Sequence, residues 1–98
     1  MTHLLCRNKL IDFAAWKAKF DAHVPVQREA GLRLERMWRS VEDPNEVFLL
    51  FEVRDIARAL GYIDAPESEA AERASGVIDV ELHFIEDSGQ GARDQGRA

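Results

Sequence analysis

Between residues 46 and 53 the chain reads Glu-Val-Phe-Leu-Leu-Phe-Glu-Val, apolar everywhere but at the two glutamates. Val47, Leu49, Phe51 and Val53 share one parity, and Phe48 and Leu50 share the other. Because side chains on a strand point alternately to opposite faces, both faces of this segment call for cover. That is the signature of a central strand. The rest of the pattern indicates what lies on each side of it.

Residues 2–8 read as a short strand with Leu4 and Cys6 on one parity and His3, Leu5 and Arg7 on the other. The pattern leaves its facing open. Asp12 suits a helix N-cap, and Phe13, Trp16, Phe20 and Val24 then recur at spacings of three and four, one face of a helix. Pro25 lacks an amide donor and disfavours a helical residue before it, so the first helical piece should end near His23. A further turn over 27–30 would stop at Gly31. Residues 32–40 alternate, with Leu32, Leu34, Arg36 and Trp38 against Arg33, Glu35, Met37 and Arg39. As a helix this stretch would carry a basic ridge of Arg33, Arg36 and Arg39. The turn chemistry of Glu42-Asp43-Pro44-Asn45 favours a hairpin into the central strand instead. Asp55 opens a second helical stretch through Ile56, Ala59, Leu60 and Ile63. Pro66 restarts it with acids in the first turn, and Gly76 ends it. Residues 77–86 form a last alternating strand, with Ile78, Val80, Leu82 and Phe84 on one parity. Beyond Asp87 the composition turns to Gly, Gln, Arg, Asp and Ser, so residues 1–86 are expected to form the domain and 87–98 a disordered tail.

The order strand, helix, strand, strand, helix, strand predicts an α+β, ferredoxin-like βαββαβ fold. A four-stranded antiparallel sheet would then have its helices on one face. The other face would be bare. Several large apolar side chains left in water at about 25 cal/mol per Å2 forfeit several kcal/mol, so the expectation is a homodimer with sheet against sheet.

Composition narrows the function classes. The 98 residues leave room for one core, and the net charge of -5 argues against a general affinity for nucleic acid or anionic membranes. No run approaches the ~20 apolar residues of a membrane span. The start of the chain lacks the look of a leader, and the single Cys6 suits a reducing compartment, so the reading is cytoplasmic. Cys6 sits in an apolar pattern and reads as a buried small side chain.

The runs Asp12-Phe13-Ala14-Ala15-Trp16-Lys17-Ala18-Lys19-Phe20-Asp21-Ala22-His23 and Asp43-Pro44-Asn45-Glu46-Val47-Phe48-Leu49-Leu50-Phe51-Glu52-Val53, with Gly76-Val77 before the last strand, resemble the dimeric α/β-barrel superfamily. The likeness is to its small antibiotic-biosynthesis-monooxygenase-like and stress-responsive members, and it spans residues 2–86. It implies two sheets closing face to face and a ligand cavity between helices and sheet. It also implies chemistry such as cofactor-free oxidation of phenols, haem degradation or isomerisation of small rings. Haem-degrading relatives use a first-strand asparagine, which Asn8 resembles. They also use a histidine from the second helical region, and residues 55–75 contain none, so no cofactor is expected.

Candidate chemistry then gathers at a few residues. His23, at a helix break, is the candidate general base, since imidazole titrates near neutral pH; the plain alternative is a cation at a helix C-terminus. Trp16, Arg36, Trp38 and Glu52 are candidate ligand-binding residues. If Arg36 pairs opposite Glu52, Trp38 lies opposite Leu50, and an arginine, a carboxylate and an indole line one surface. The alternative is a cross-strand ion pair beside a core or interface tryptophan. His3 and His83 on neighbouring strands fall short of the three ligands of a catalytic zinc site, so no metal is expected. No glycine-rich phosphate loop or nucleophile elbow is present. Two readings of function compete. One is a small cofactor-independent monooxygenase- or isomerase-like enzyme acting on an aromatic or cyclic molecule. The other is a non-catalytic ligand-binding or stress-associated homodimeric barrel.

Overall fold

A computed structural model describes residues 1–89 of the chain. The strands are β1 (Thr2–Leu10), β2 (Leu32–Arg39), β3 (Glu46–Val53) and β4 (Val77–Glu86). Each predicted helical stretch is two pieces, α1 (Phe13–Ala22) with α2 (Val24–Glu29), and α3 (Ile56–Asp64) with α4 (Pro66–Ala74). The breaks fall where the prolines require them. Asp12 and Asp55 cap α1 and α3, each accepting from the amide three residues on, Ala15 at 2.9 Å and Arg58 at 3.1 Å. Gly31 and Gly76 take φ of 84° and 90° before β2 and β4, a left-handed stop that suits glycine.

The sheet has the order β2-β3-β1-β4, antiparallel throughout, which is the ferredoxin-like arrangement. Val47, Leu49, Phe51 and Val53 of β3 are buried under the helices together with Leu4, Cys6 and Leu10 of β1. Phe48 and Leu50 point the other way. On α1, Trp16 stacks on Phe20 at 4.8 Å between ring centroids, and Phe20 meets Phe51 at 6.5 Å, which joins helix to sheet.

The structure departs from simple alternation on β2. Leu34 pairs with Phe51, but Arg36 pairs with Leu50, so Glu35 is an extra residue in a bulge. A bulge of one residue resets the facing of all that follows. Leu34 and Met37 therefore both pack against the helix-side core, while Arg36 and Trp38 turn to the open face. Continuing the alternation would have put the Arg36 guanidinium into the core, and the bulge offers Met37 in its place. A second irregularity on β4 does the same, with Val77 against the core and Ile78 exposed, while Val80, Leu82 and Phe84 share the parity of the helix side.

The expected tail at 87–98 begins with Asp87, whose amide donates to the carbonyl of Met1 at 3.4 Å; residues 90–98 lie outside the described residues. Among the described residues no helix is long and apolar enough to cross a membrane.

Candidate functional site

Between the helices and the sheet lies a cavity of about 110 Å3. Its sheet wall comes from Leu4, Cys6 and Asn8 of β1, Leu49 and Phe51 of β3 and Leu82 of β4. The helices supply its polar groups, Gln27 from α2, Tyr62 from α3, and Ser68 and Glu72 from α4. An outer chamber of about 70 Å3 adjoins it, sharing Phe20, Gln27, Tyr62 and Glu72 and adding His23 and Lys19.

Local rules explain why these groups meet here. Asn8 falls on the buried parity of β1, in line with Leu4 and Cys6, so its amide is carried into the core at 8% exposure. Among the described residues its Oδ1 has no hydrogen-bond partner, and Asn8 lines the cavity. Gln27 is equally buried on the inner side of α2. The helix α4 has no buried residue, and its apolar side chains are only Pro66 and three alanines, so it roofs the sheet loosely and leaves Leu82 at 39% exposure.

The electrostatics follow from that loose roof. Glu72 keeps much of its surface in water, yet it lines both chambers, and burial first and the charge of Glu69 second raise its carboxyl above the usual range. Burial, then the Glu72 charge, also raises the Tyr62 phenol, with Ser68 acting in the opposite sense. Cys6 is pushed up to about 12, first by burial and then by Glu72, so it stands in the wall as a neutral thiol. His23 closes the end of α1, with Nδ1 2.9 Å from the carbonyl oxygen of Lys19. A carbonyl can only accept, so Nδ1 carries the hydrogen and the neutral ring keeps a lone pair on Nε2. Among the described residues no group of three potential metal ligands comes together.

The sequence-predicted residues divide between two places. His23 lines the outer chamber. Trp16 is 3% exposed and belongs to the core, between Phe13 and Phe20. Arg36, Trp38 and Glu52 lie on the open face of the sheet, away from the cavity. The hairpin pairs two residues away from the expected register, so Arg36 stands opposite Leu50 and Trp38 opposite Phe48, and beyond the β2 bulge it is Arg33 that stands opposite Glu52 and bonds it at 3.2 Å. Residues 32–39 are the strand and not the helix that would have carried a basic ridge, and Arg39 lies over the Phe13 ring at 3.9 Å and donates to the carbonyl of Pro44. Sequence reasoning missed Gln27, Tyr62, Ser68 and Glu72 as a group. Only Asn8 carried a signal, a polar residue on the parity of Leu4 and Cys6.

No protein-family model matches the chain. No curated protein matches it either. Solved structures do match. SnoaB, a cofactor-independent oxygenase from Streptomyces nogalater, superposes with a TM-score of 0.70 at 11% identity, over 92% of this chain and 95% of that one. An antibiotic biosynthesis monooxygenase gives 0.67 at 13% identity, over 91% of this chain and 100% of that one. A protein from Agrobacterium tumefaciens gives 0.67 at 12% identity, over 90% and 94%. The chain has the ferredoxin-like fold of antibiotic-biosynthesis-monooxygenase-type structures, at identities where the likeness speaks for fold.

Proposed function

We propose that the chain is a small cofactor-independent enzyme of the monooxygenase or isomerase kind, working on a single-ring phenolic molecule in the helix–sheet cavity. The observation that carries this reading is the convergence of Asn8, Gln27, Tyr62 and Glu72 on one cavity, with the Asn8 acceptor left unpaired. A purely structural interior hydrogen-bonds its buried polar groups or replaces them with apolar ones. A non-catalytic binding barrel has no need of a titratable carboxyl in its wall.

Size limits the ligand. A cavity of about 150 Å3 accommodates benzene, and the inner chamber of about 110 Å3 with its outer neighbour suits one substituted ring rather than a polycycle. A ring hydroxyl in the inner chamber meets Asn8 and Glu72. The Glu72 carboxylate takes the hydroxyl proton, and burial and the Glu69 charge, by raising its pKa, make it the stronger base. His23, at the outer chamber, accepts the proton on Nε2 and hands it to water. The electron-rich anion left behind reduces dioxygen itself, which is why no cofactor is invoked.

The working unit is the domain of residues 1–86 as a homodimer in the cytoplasm. Leu5, Phe48, Leu50 and Trp38 form an apolar stripe on the open sheet face, and Trp38 is 44% exposed, which a second copy would cover. The test is oxygen uptake with a monocyclic quinol. Wild type should consume oxygen, and His23→Ala should lower kcat about 10²-fold. Absence of turnover across a panel of single-ring quinols contradicts the reading.

A further inference from the structure

We propose that the cleft at the junction of α2, β2 and the end of β3 binds a small phosphate ester through Arg28, Arg33 and Arg54. The cleft has a volume of about 340 Å3 and is lined by these three arginines with Gly31 and Leu32. That volume lies in the range of small-molecule sites. Among the described residues no carboxylate lines it, in a chain whose net charge is -5. Leu32 alone is shared with the helix–sheet cavity, so the cleft is a separate site and stands without the reading given above.

Gly31 ties the three chain segments together. Its amide donates to the carbonyl of Arg28 at 3.0 Å, and the amide of Arg54 donates to the carbonyl of Gly31 at 2.9 Å. The backbone origins of Arg28, Arg33 and Arg54 are thus fixed around one point. Elsewhere arginines are matched to acceptors: Arg7 to Glu46, Arg39 to Pro44, Arg58 to Glu29 and Arg73 to Glu69. Among the described residues Arg28, Arg36 and Arg54 have no such partner, and two of these three face this cleft. Arg33 is held from behind. Its Nε lies 3.2 Å from Glu52 and one terminal nitrogen lies 3.8 Å from Glu35, which orients the guanidinium and leaves the other terminal nitrogen free.

Arg33 is already compensated by Glu52 and Glu35, so an anion entering the cleft meets two arginines without carboxylate partners, Arg28 and Arg54, and the remaining terminal nitrogen of Arg33. A carboxylate offers two oxygens, whereas a phosphoryl group offers three, and it suits forks arriving from three directions. Leu32, buried at 3% exposure, gives the floor an apolar surface for the organic part of an ester.

Calorimetric titration of the full chain with phenyl phosphate at low ionic strength tests this, with succinate as the competing anion. Saturable one-site binding is expected, weakened about tenfold or more by Arg28→Gln and by Arg54→Gln, since each removes charged hydrogen bonds. Arg36→Gln should leave the affinity within about twofold, because Arg36 does not line the cleft. Thermal melts of each variant establish that it is folded. Lack of saturable binding overturns the proposal. So does an Arg36→Gln effect equal to that of Arg54→Gln, or succinate binding as tightly as phenyl phosphate.

Discussion

Leu49 and Leu50 are adjacent in β3 and differ only in which face of the sheet they occupy. Leu49 is 2% exposed beneath the helices, in a core with a cavity and an unpaired amide at its edge. Leu50 lies in a narrow apolar stripe bordered by charge. On that side Arg7 bonds Glu46 at 2.6 Å and Asp79 at 3.3 Å, His3 meets Glu35 at 3.0 Å, and Arg33 meets Glu52. Glu46 first, against some desolvation, raises the Arg7 pKa. One side of the sheet is thus held by burial and faces the polar groups of the cavity, while the other is laced by partly exposed ion pairs that individually contribute little. Partly exposed apolar groups inside a frame of charges are the composition of an interface rather than of a ligand pocket.

The largest expected contrast is in stability. Leu49→Ala should cost about 2–5 kcal/mol in urea unfolding, as a cavity in a packed core does. In dilute monomer Leu50→Ala should cost well under half of that. Equal costs would erase the distinction between the faces. The next is in assembly. Leu50→Asp should convert a dimer to a folded monomer by sedimentation equilibrium, because a buried unpaired charge disfavours the apolar contact. An unchanged mass would remove the interface from the open sheet.

Smaller effects sharpen the helix side. Asp12→Ala should lower stability by about 1 kcal/mol through loss of the α1 cap. Glu72 gives a pH signature. Its folded carboxyl holds a proton to higher pH than the unfolded chain does, so the native state binds more protons across that interval. The contribution of Glu72 therefore falls as pH rises through the interval and is level above it. Wild type should lose stability relative to Glu72→Gln as pH rises upwards from the ordinary carboxylate range, by a small amount because Glu72 is partly in water. A difference of the opposite sign would place the carboxylate in a favourable ion pair.

The fold was largely legible because its determinants are local. Alternation marked β3, the prolines marked the helix breaks, and Asp12, Asp55, Gly31 and Gly76 marked element ends. The site was much less so. Extrapolating the parity of Leu32 and Leu34 groups Arg36 and Trp38 with them, and the bulge at Glu35 breaks that inference. A bulge is a compromise between the registers of two strands, and neither strand alone records it. Tyr62 and Glu72 lie on separate helical pieces, and their meeting with Asn8 depends on how α3 and α4 cross the sheet. His23 was singled out by the helix break at Pro25, and the outer chamber does lie there.

The most direct test of the division between faces is a two-dimensional amide NMR titration with hydroquinone. The predicted result is saturable shifts at Asn8, Gln27, Tyr62 and Glu72, with the indole N–H of Trp38 unmoved. Saturable movement of Trp38, with the cavity amides unmoved, would contradict it and put the ligand on the open sheet.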